Sequence, residues 1–329
     1  MTVMVIGLGS MGKRRIRIIK KLFPQYDIIG VDGREDRREE CCRLYNISCY
    51  KDIETAINIQ PLDCAFVCTS PLSHATIIKS CLQAKLHVFS EINLVADGYE
   101  DNILLAQRNQ KTLFLSSTPM YKSEMQYISQ AVAHKEPFYY IYHVGQYLPD
   151  WHPWENINDF FVSDKRTNGC RELMAIELPW MLHTFGEVEN FHVIADNLTK
   201  LEIAYKDSYQ MQFLHKNGNR GLVAFDVTSR TPVRHLELYN EELHIEWFGK
   251  PDDLCVRNII AGEDKFPCRR TEYEQREGYS AMINETPYEQ EVANFFACIE
   301  SREDAKHSFE ADAKILNLID RIEEIAETN

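Results

Sequence analysis

The chain lacks several features that would narrow its class at once. Ten cysteines are present, yet no two are spaced C-x-x-C, and Cys41–Cys42 is an adjacent doublet. Scattered thiols of this kind read as small buried apolar residues rather than a zinc site or a disulfide frame, so no metal is expected. No apolar run approaches the ~20 residues of a membrane-spanning helix, and no low-complexity segment or internal repeat is present. The apolar segment at the N-terminus reads as a strand and not as a signal peptide, so the expected location is the cytoplasm. Positive charge is scarce. The formal net charge is -14, which argues against nucleic acid or an acidic membrane as partner. Glycine is also sparse, 14 in 329 residues, and three of the 14 fall within six positions.

Those three are Gly7, Gly9 and Gly12, in G-x-G-x-x-G spacing. They follow the apolar run Val3–Ile6 and precede an amphipathic segment carrying Ile16, Ile18, Ile19 and Leu22. A second apolar run, Ile28–Val31, ends at Asp32. Strand, glycines, helix, strand and acid, about twenty residues beyond the last glycine, is the arrangement that holds a dinucleotide. Gly7 permits a tight turn, Gly9 lets the backbone approach a pyrophosphate, and Gly12 lets helix and strand pack closely. Ser10 and Met11 open the helix beside Gly12, where unpaired N–H groups face the phosphates. Asp32 is placed to accept from the adenosine ribose and would repel a 2′-phosphate, which favours NAD over NADP. Arg34 is placed to stack on adenine or reach a phosphate.

Apolar runs and charged segments alternate through the first half. Strands are expected at Cys49–Tyr50, Asp63–Cys68, Leu86–Phe89 and Thr112–Ser116, with helices between them at Asp36–Leu44, Ile53–Ile57, His74–Ala84 and Tyr99–Arg108. This predicts an α/β fold whose N-terminal part is a Rossmann doubly wound parallel sheet. Ligands bind beyond the carboxyl ends of such strands. That rim would carry Gly7–Gly12, Asp32, the turn Thr69-Ser70-Pro71 through His74, and Glu91-Ile92-Asn93.

The glycine fingerprint, the T-S-P-x-x-H turn and the E-I-N turn resemble the Gfo/Idh/MocA family of glucose–fructose oxidoreductases and inositol dehydrogenases. The resemblance implies residues 1–119 as an NAD(P)-binding domain. It also implies residues 120–329 as a substrate-binding and oligomerisation α+β domain with a large open, mostly antiparallel sheet, its C-terminal helices able to pack back on the first domain. It implies a sugar-derived substrate (nucleotide sugar, sugar acid or cyclitol) and a homodimer or homotetramer formed through the second sheet. One departure stands out. The family usually has E-K-P where this chain has Glu91-Ile92-Asn93, and Ile92 cannot do the proton work of the usual lysine. Asn93 replaces the proline and is able to hydrogen-bond a carboxamide or hydroxyl, or simply to form the turn.

In the second half, Phe138–Tyr147 reads as a long strand. It leads into Leu148-Pro-Asp-Trp-His-Pro-Trp-Glu155, too rich in proline and charge for a regular core element. Trp151 and Trp154 are candidate platforms for a sugar ring, with His152 and Glu155 to meet hydroxyls; equally, the tryptophans cap the core. Together with E-I-N, this stretch resembles a branch found among surface-polysaccharide sugar pathways. Lys165, Arg166 and Arg171 suit a carboxylate or phosphate on the substrate, or form a solvated loop. The helix expected over Cys170–Gly186 corresponds to the family helix that carries an Asp and a His; aligned back from Gly186, those positions are Glu172 and Ile176. Glu172, Glu177 and His152 are therefore the acid/base candidates. Strands follow at His192–Ala195, Ser208–His215, Gly221–Thr228, His235–Tyr239, Leu243–Phe248 and Cys255–Ile259, then helices at Tyr288–Ile299 and Glu310–Glu327. Two functions remain open: an NAD(H)-dependent oxidoreductase, or a catalytically inactive sensor or scaffold that keeps the dinucleotide.

Overall fold

A computed structural model describes residues 1–133, 137–151, 156–268 and 284–328. The chain divides into two compact units, Met1–Thr118 with Thr286–Lys314, and Pro119–Glu285 with Ile315–Asn329.

The first unit alternates strand and helix: β1 (Thr2–Ile6), α1 (Ser10–Leu22), β2 (Asp27–Val31), α2 (Glu35–Tyr45), β3 (Ser48–Tyr50), α3 (Ile53–Ile59), β4 (Cys64–Val67), α4 (Pro71–Gln83), β5 (His87–Ser90), α5 (Tyr99–Asn109) and β6 (Leu113–Leu115). The strands form a six-stranded sheet in the order β3-β2-β1-β4-β5-β6, parallel throughout. Four residues in succession are buried in β1, β2 and β4, as a sheet covered on both faces requires. Helix α4 starts at Pro71, not at His74. Proline at the first helical position gives up an N–H that has no helical partner anyway, so the residue placed in the turn is the start of the helix.

The second unit contains α6 (Ser123–Val132), β7 (Tyr139–Gly145), α7 (Gly169–Phe185), β8 (Val188–Asp196), β9 (Ser208–His215), β10 (Arg220–Asp226), β11 (Val233–Tyr239), β12 (Leu243–Trp247), β13 (Cys255–Asn258) and β14 (Glu263–Lys265). Among the described residues its sheet runs β14-β13-β12-β11-β7-β10-β9-β8, antiparallel except for the β7–β10 pair. One face is covered by α7: Tyr140 stacks on Phe185 at 4.2 Å, and Tyr142 meets Trp180 edge-on at 5.4 Å. On the other face Tyr139, Ile141, Leu222 and Tyr239 are exposed.

Helix α8 (Thr286–Ile299) belongs to the first unit, and α9 (Phe309–Thr328) closes the described chain. Phe295 of α8 packs edge-on against Phe66, Phe89 and Phe114, at 5.1, 5.5 and 5.6 Å between ring centroids. Rings on three neighbouring strands thus share one aromatic partner from far along the chain.

At the start of β5, His87 accepts from the Thr112 N–H at 3.0 Å and lies 3.4 Å from the Lys111 ammonium. Burial and that cation push its imidazole down to about 4. The unfolded imidazole takes a proton near its usual value of about 6.5, so the unfolded state binds more protons in between. Stability therefore falls as pH drops from about 6.5 towards 4. In His87→Asn, which keeps an acceptor for Thr112, the denaturant midpoint should fall less between pH of about 7 and about 4.5.

Candidate functional site

The glycine turn follows from steric necessity. Gly7 sits at φ +88, and a Cβ there would lie 2.6 Å from the Cys68 carbonyl oxygen. A Cβ on Gly12 would lie 1.9 Å from the Gly7 carbonyl oxygen, so any side chain at either position displaces the turn. The Gly7 N–H donates to the Val31 carbonyl at 2.8 Å, tying the turn to β2. Gly9 is the N-cap of α1 without a side-chain cap, which leaves the helix start open to an anion; Ser10 and Met11 are its first residues, exposed and half-buried.

Beside this turn lies a cavity of about 890 Å³, whose wall includes Gly7, Asp32, Arg37, Lys51, Thr69 and Ser70. Asp32 accepts from the Leu8 N–H at 2.8 Å and from the Arg34 N–H at 2.9 Å, which fixes its carboxylate at the mouth of the turn. The Arg34 side chain instead pairs with Asp36 on the exposed surface. Arg37, in the first turn of α2, reaches the cavity, and the sequence reading passed it over. Residues Thr69 and Ser70 line the far wall and Pro71 is buried behind them.

His74 supports that wall from below. It is 2% exposed, with Nε2 at 2.9 Å from the Thr69 carbonyl and Nδ1 at 2.6 Å from the Asn93 side-chain amide. Burial lowers its pKa, and a neutral imidazole has one N–H. Its two partners, the Thr69 carbonyl and Asn93 Oδ1, are both acceptors, so the tautomer decides which of them receives that hydrogen. Glu91 is buried behind the cavity wall, with Oε1 3.8 Å from the Sγ of Cys68, which lines it. It holds Arg15 at 2.6 and 3.1 Å, and Arg15 also pairs with Glu291 at 2.7 Å. All three are buried, so Glu91 anchors the first unit from inside.

In the second unit, Trp151 is half-buried and donates from Nε1 to the Gln146 carbonyl at 3.1 Å. His152, Trp154 and Glu155 lie outside the described residues. Lys165 pairs with Glu327, Arg166 is exposed with its N–H on Asp164, and Arg171 is buried between Asp320 and Glu323. The two carboxylates of α7 differ sharply. Glu177 is sealed: it accepts from the Tyr142 hydroxyl and from Trp180 Nε1, each at 2.7 Å, and pairs with Arg234 at 2.7 Å. Glu172 keeps one buried oxygen without a hydrogen-bond partner among the described residues, and burial pushes its carboxyl up to about 7.

Lys122 is a further residue the sequence reading missed. Burial and nearby Arg234 push its ammonium down to about 8, against the opposing pull of Glu177 and Glu124. The available signal was its place: it is the N-cap of α6, where a hydroxyl or acidic side chain is the norm. Among the described residues, no group of His, Cys, Asp and Glu side chains could hold a metal ion, and no helix is long and apolar enough to cross a membrane.

A parallel sheet with this glycine turn, an acid after β2 and a cavity beside them define a Rossmann dinucleotide-binding unit. Residues 1–116 match the model of the GFO_IDH_MocA oxidoreductase family, described as an NAD-binding Rossmann fold. A myo-inositol 2-dehydrogenase of Thermotoga maritima is 33% identical over 92 residues, 28% of each chain. Biliverdin reductase A of Mus musculus is 29% identical over 136 residues, 41% of this chain and 45% of that protein. The matched segments thus span less than half of these relatives. The WlbA dehydrogenase of Bordetella pertussis, solved with NADH and UDP-GlcNAcA, shares the fold over 99% of this chain and 96% of its own. Its TM-score is 0.81 at 11% identity.

Proposed function

We propose that the protein is an NAD(H)-dependent oxidoreductase that transfers a hydride to or from a sugar-derived substrate. The observation that carries this reading is the cradle at Gly7 and Gly12, two positions where a Cβ would collide with backbone, beside a cavity walled by Asp32. Gly7, Gly9, Ser10, Met11 and Gly12 would hold the pyrophosphate, Asp32 the ribose, and Thr69, Ser70 and Asn93 the remainder of the dinucleotide. Bound there, the nicotinamide would give or take the hydride. Nucleotide sugars, sugar acids and cyclitols are the substrate classes to test, because the similar proteins include a myo-inositol dehydrogenase and a structure solved with UDP-GlcNAcA. The exposed Tyr139, Ile141, Leu222 and Tyr239 suit self-association through the second sheet.

Reducing a carbonyl also needs a proton, and oxidising an alcohol needs a base. Glu172 is our choice for that group, since a carboxyl with a pKa of about 7 exchanges a proton near neutrality and one of its oxygens has no partner among the described residues. Its protonated form serves reduction, so the reductive rate should decline as pH rises through about 7, and the oxidative rate should decline as pH falls through it. Glu172→Gln should lower kcat by about 100-fold or more and remove that inflection. The measurement is loss or gain of reduced-nicotinamide absorbance against UDP-, GDP- and CMP-sugars, sugar acids and cyclitols. A folded Glu172→Gln with unchanged kcat and pH profile would shift the role elsewhere.

Ile92 and Ile176 favour a second reading, a dinucleotide-binding sensor without turnover, because they stand where the family has Lys and His. Tight NADH binding with no turnover on the whole panel would favour it.

A further inference from the structure

The acid after β2 is partnered by a base. Arg37 NH1 lies 3.7 Å from Asp32 Oδ2, and 3.6 Å from the point a Cβ on Gly9 would occupy. Its guanidinium therefore stands over the glycine turn and beside the ribose-binding carboxylate at once. Arg37 and Asp32 belong to the same cavity wall. Two consequences follow from the charge. The Asp32 carboxylate, already receiving two backbone N–H groups, faces the cavity as part of a neutral pair, so its repulsion of a 2′-phosphate is offset. The Arg37 side chain is 37% exposed and, among the described residues, held by one long ion pair, so it can swing to an incoming phosphate with its planar fork.

The neighbouring charges do not substitute for it. Arg38 donates to the carbonyls of Asp32 and Gly33, and Arg34 pairs with Asp36. Lys51, Asp52 and Glu54 also line the cavity, but Asp52 accepts the Thr55 N–H as the N-cap of α3. Of the cations there, Arg37 is the one placed against Asp32.

We propose that Arg37 is the residue that sets the choice between the two nicotinamide dinucleotides, by binding the 2′-phosphate of NADP(H), so that the protein accepts both cofactors despite Asp32. The inference rests on the dinucleotide-binding reading above. NAD(H) uses the carboxylate of Asp32 through its ribose hydroxyls. NADP(H) displaces Arg37 from Asp32 and takes the guanidinium on its phosphate.

The test is titration of NADH and NADPH, followed by nicotinamide fluorescence, into the wild-type protein and the Arg37→Ala, Arg37→Lys and Arg34→Ala variants. Wild-type protein should bind NADPH within about tenfold of NADH, because a guanidinium–phosphate contact of this kind offsets the acid. Arg37→Ala should weaken NADPH by at least about tenfold and NADH by less than about threefold, with Arg37→Lys intermediate. Arg34→Ala should leave the ratio unchanged. Equal loss of both cofactors in Arg37→Ala, or a wild-type preference for NADH above about a hundredfold, would overturn the proposal while leaving dinucleotide binding intact. Failure of wild-type protein to bind either dinucleotide would overturn the functional reading itself.

Discussion

Gly12→Ala should weaken NADH binding by about 100-fold and lower stability by about 1–3 kcal/mol, the usual cost of forcing atoms into a packed site. The added methyl would sit 1.9 Å from the Gly7 carbonyl oxygen, far inside contact distance. Gly7 cannot yield easily. Its N–H is on Val31, its φ is +88, and Cys68 blocks its other side. Helix α1 must therefore retreat, taking its N-terminus from the phosphates. Gly33→Ala is the control, since a Cβ there meets nothing within 4 Å. Cofactor titration and urea denaturation of both variants separate the loss of the cradle from any general effect of adding a methyl. Equal behaviour of the two variants would sink the steric account.

Arg15→Met should cost about 3–5 kcal/mol, because it strands buried carboxylates without their cation. Glu291 is fully buried and also accepts from Ser116, Ser117 and Thr118, and Glu91 is 6% exposed. With Arg15 gone, Glu291 loses the cation that opposes its burial, and its folded pKa, already raised by burial, rises further above that of the unfolded chain. Raised acids bind protons preferentially in the folded state, so the deficit should grow as pH rises through that interval and shrink towards pH of about 5. Adding Glu291→Gln to Arg15→Met should restore part of the loss, and the double-mutant cycle measures the coupling. Additive effects would show that the pair does not interact as the structure places it.

Most of the first unit was legible because its signals are local. The glycine spacing, the strand–helix alternation and the acid after β2 all lie within short windows, and the observed sheet follows them. The Pro71 boundary slipped by three residues because proline both breaks strands and starts helices. Arg34 was chosen over Arg37 because both follow Asp32 closely. Only the start of α2 decides which side chain turns to the cavity: Arg34 is its N-cap, and Arg37 lies within the first turn. Glu172 and Glu177 were indistinguishable on one helix. Their difference comes from Tyr142 and Arg234, on strands 35 residues before Glu177 and well after it. The partnership of Arg15 with Glu291 spans 276 residues, and no periodicity in either segment announces it.

The placement of α8 has a consequence for synthesis. Phe295 completes the aromatic cluster of Phe66, Phe89 and Phe114, and Glu291 joins Glu91 as a second carboxylate on Arg15, yet both residues emerge after the strands of the second sheet. The first 118 residues leave the ribosome with an apolar patch on Phe66, Phe89 and Phe114 that Phe295 has yet to cover. Until α8 arrives that patch is open to aggregation, so a fragment ending near Thr118 should be less soluble than the whole chain.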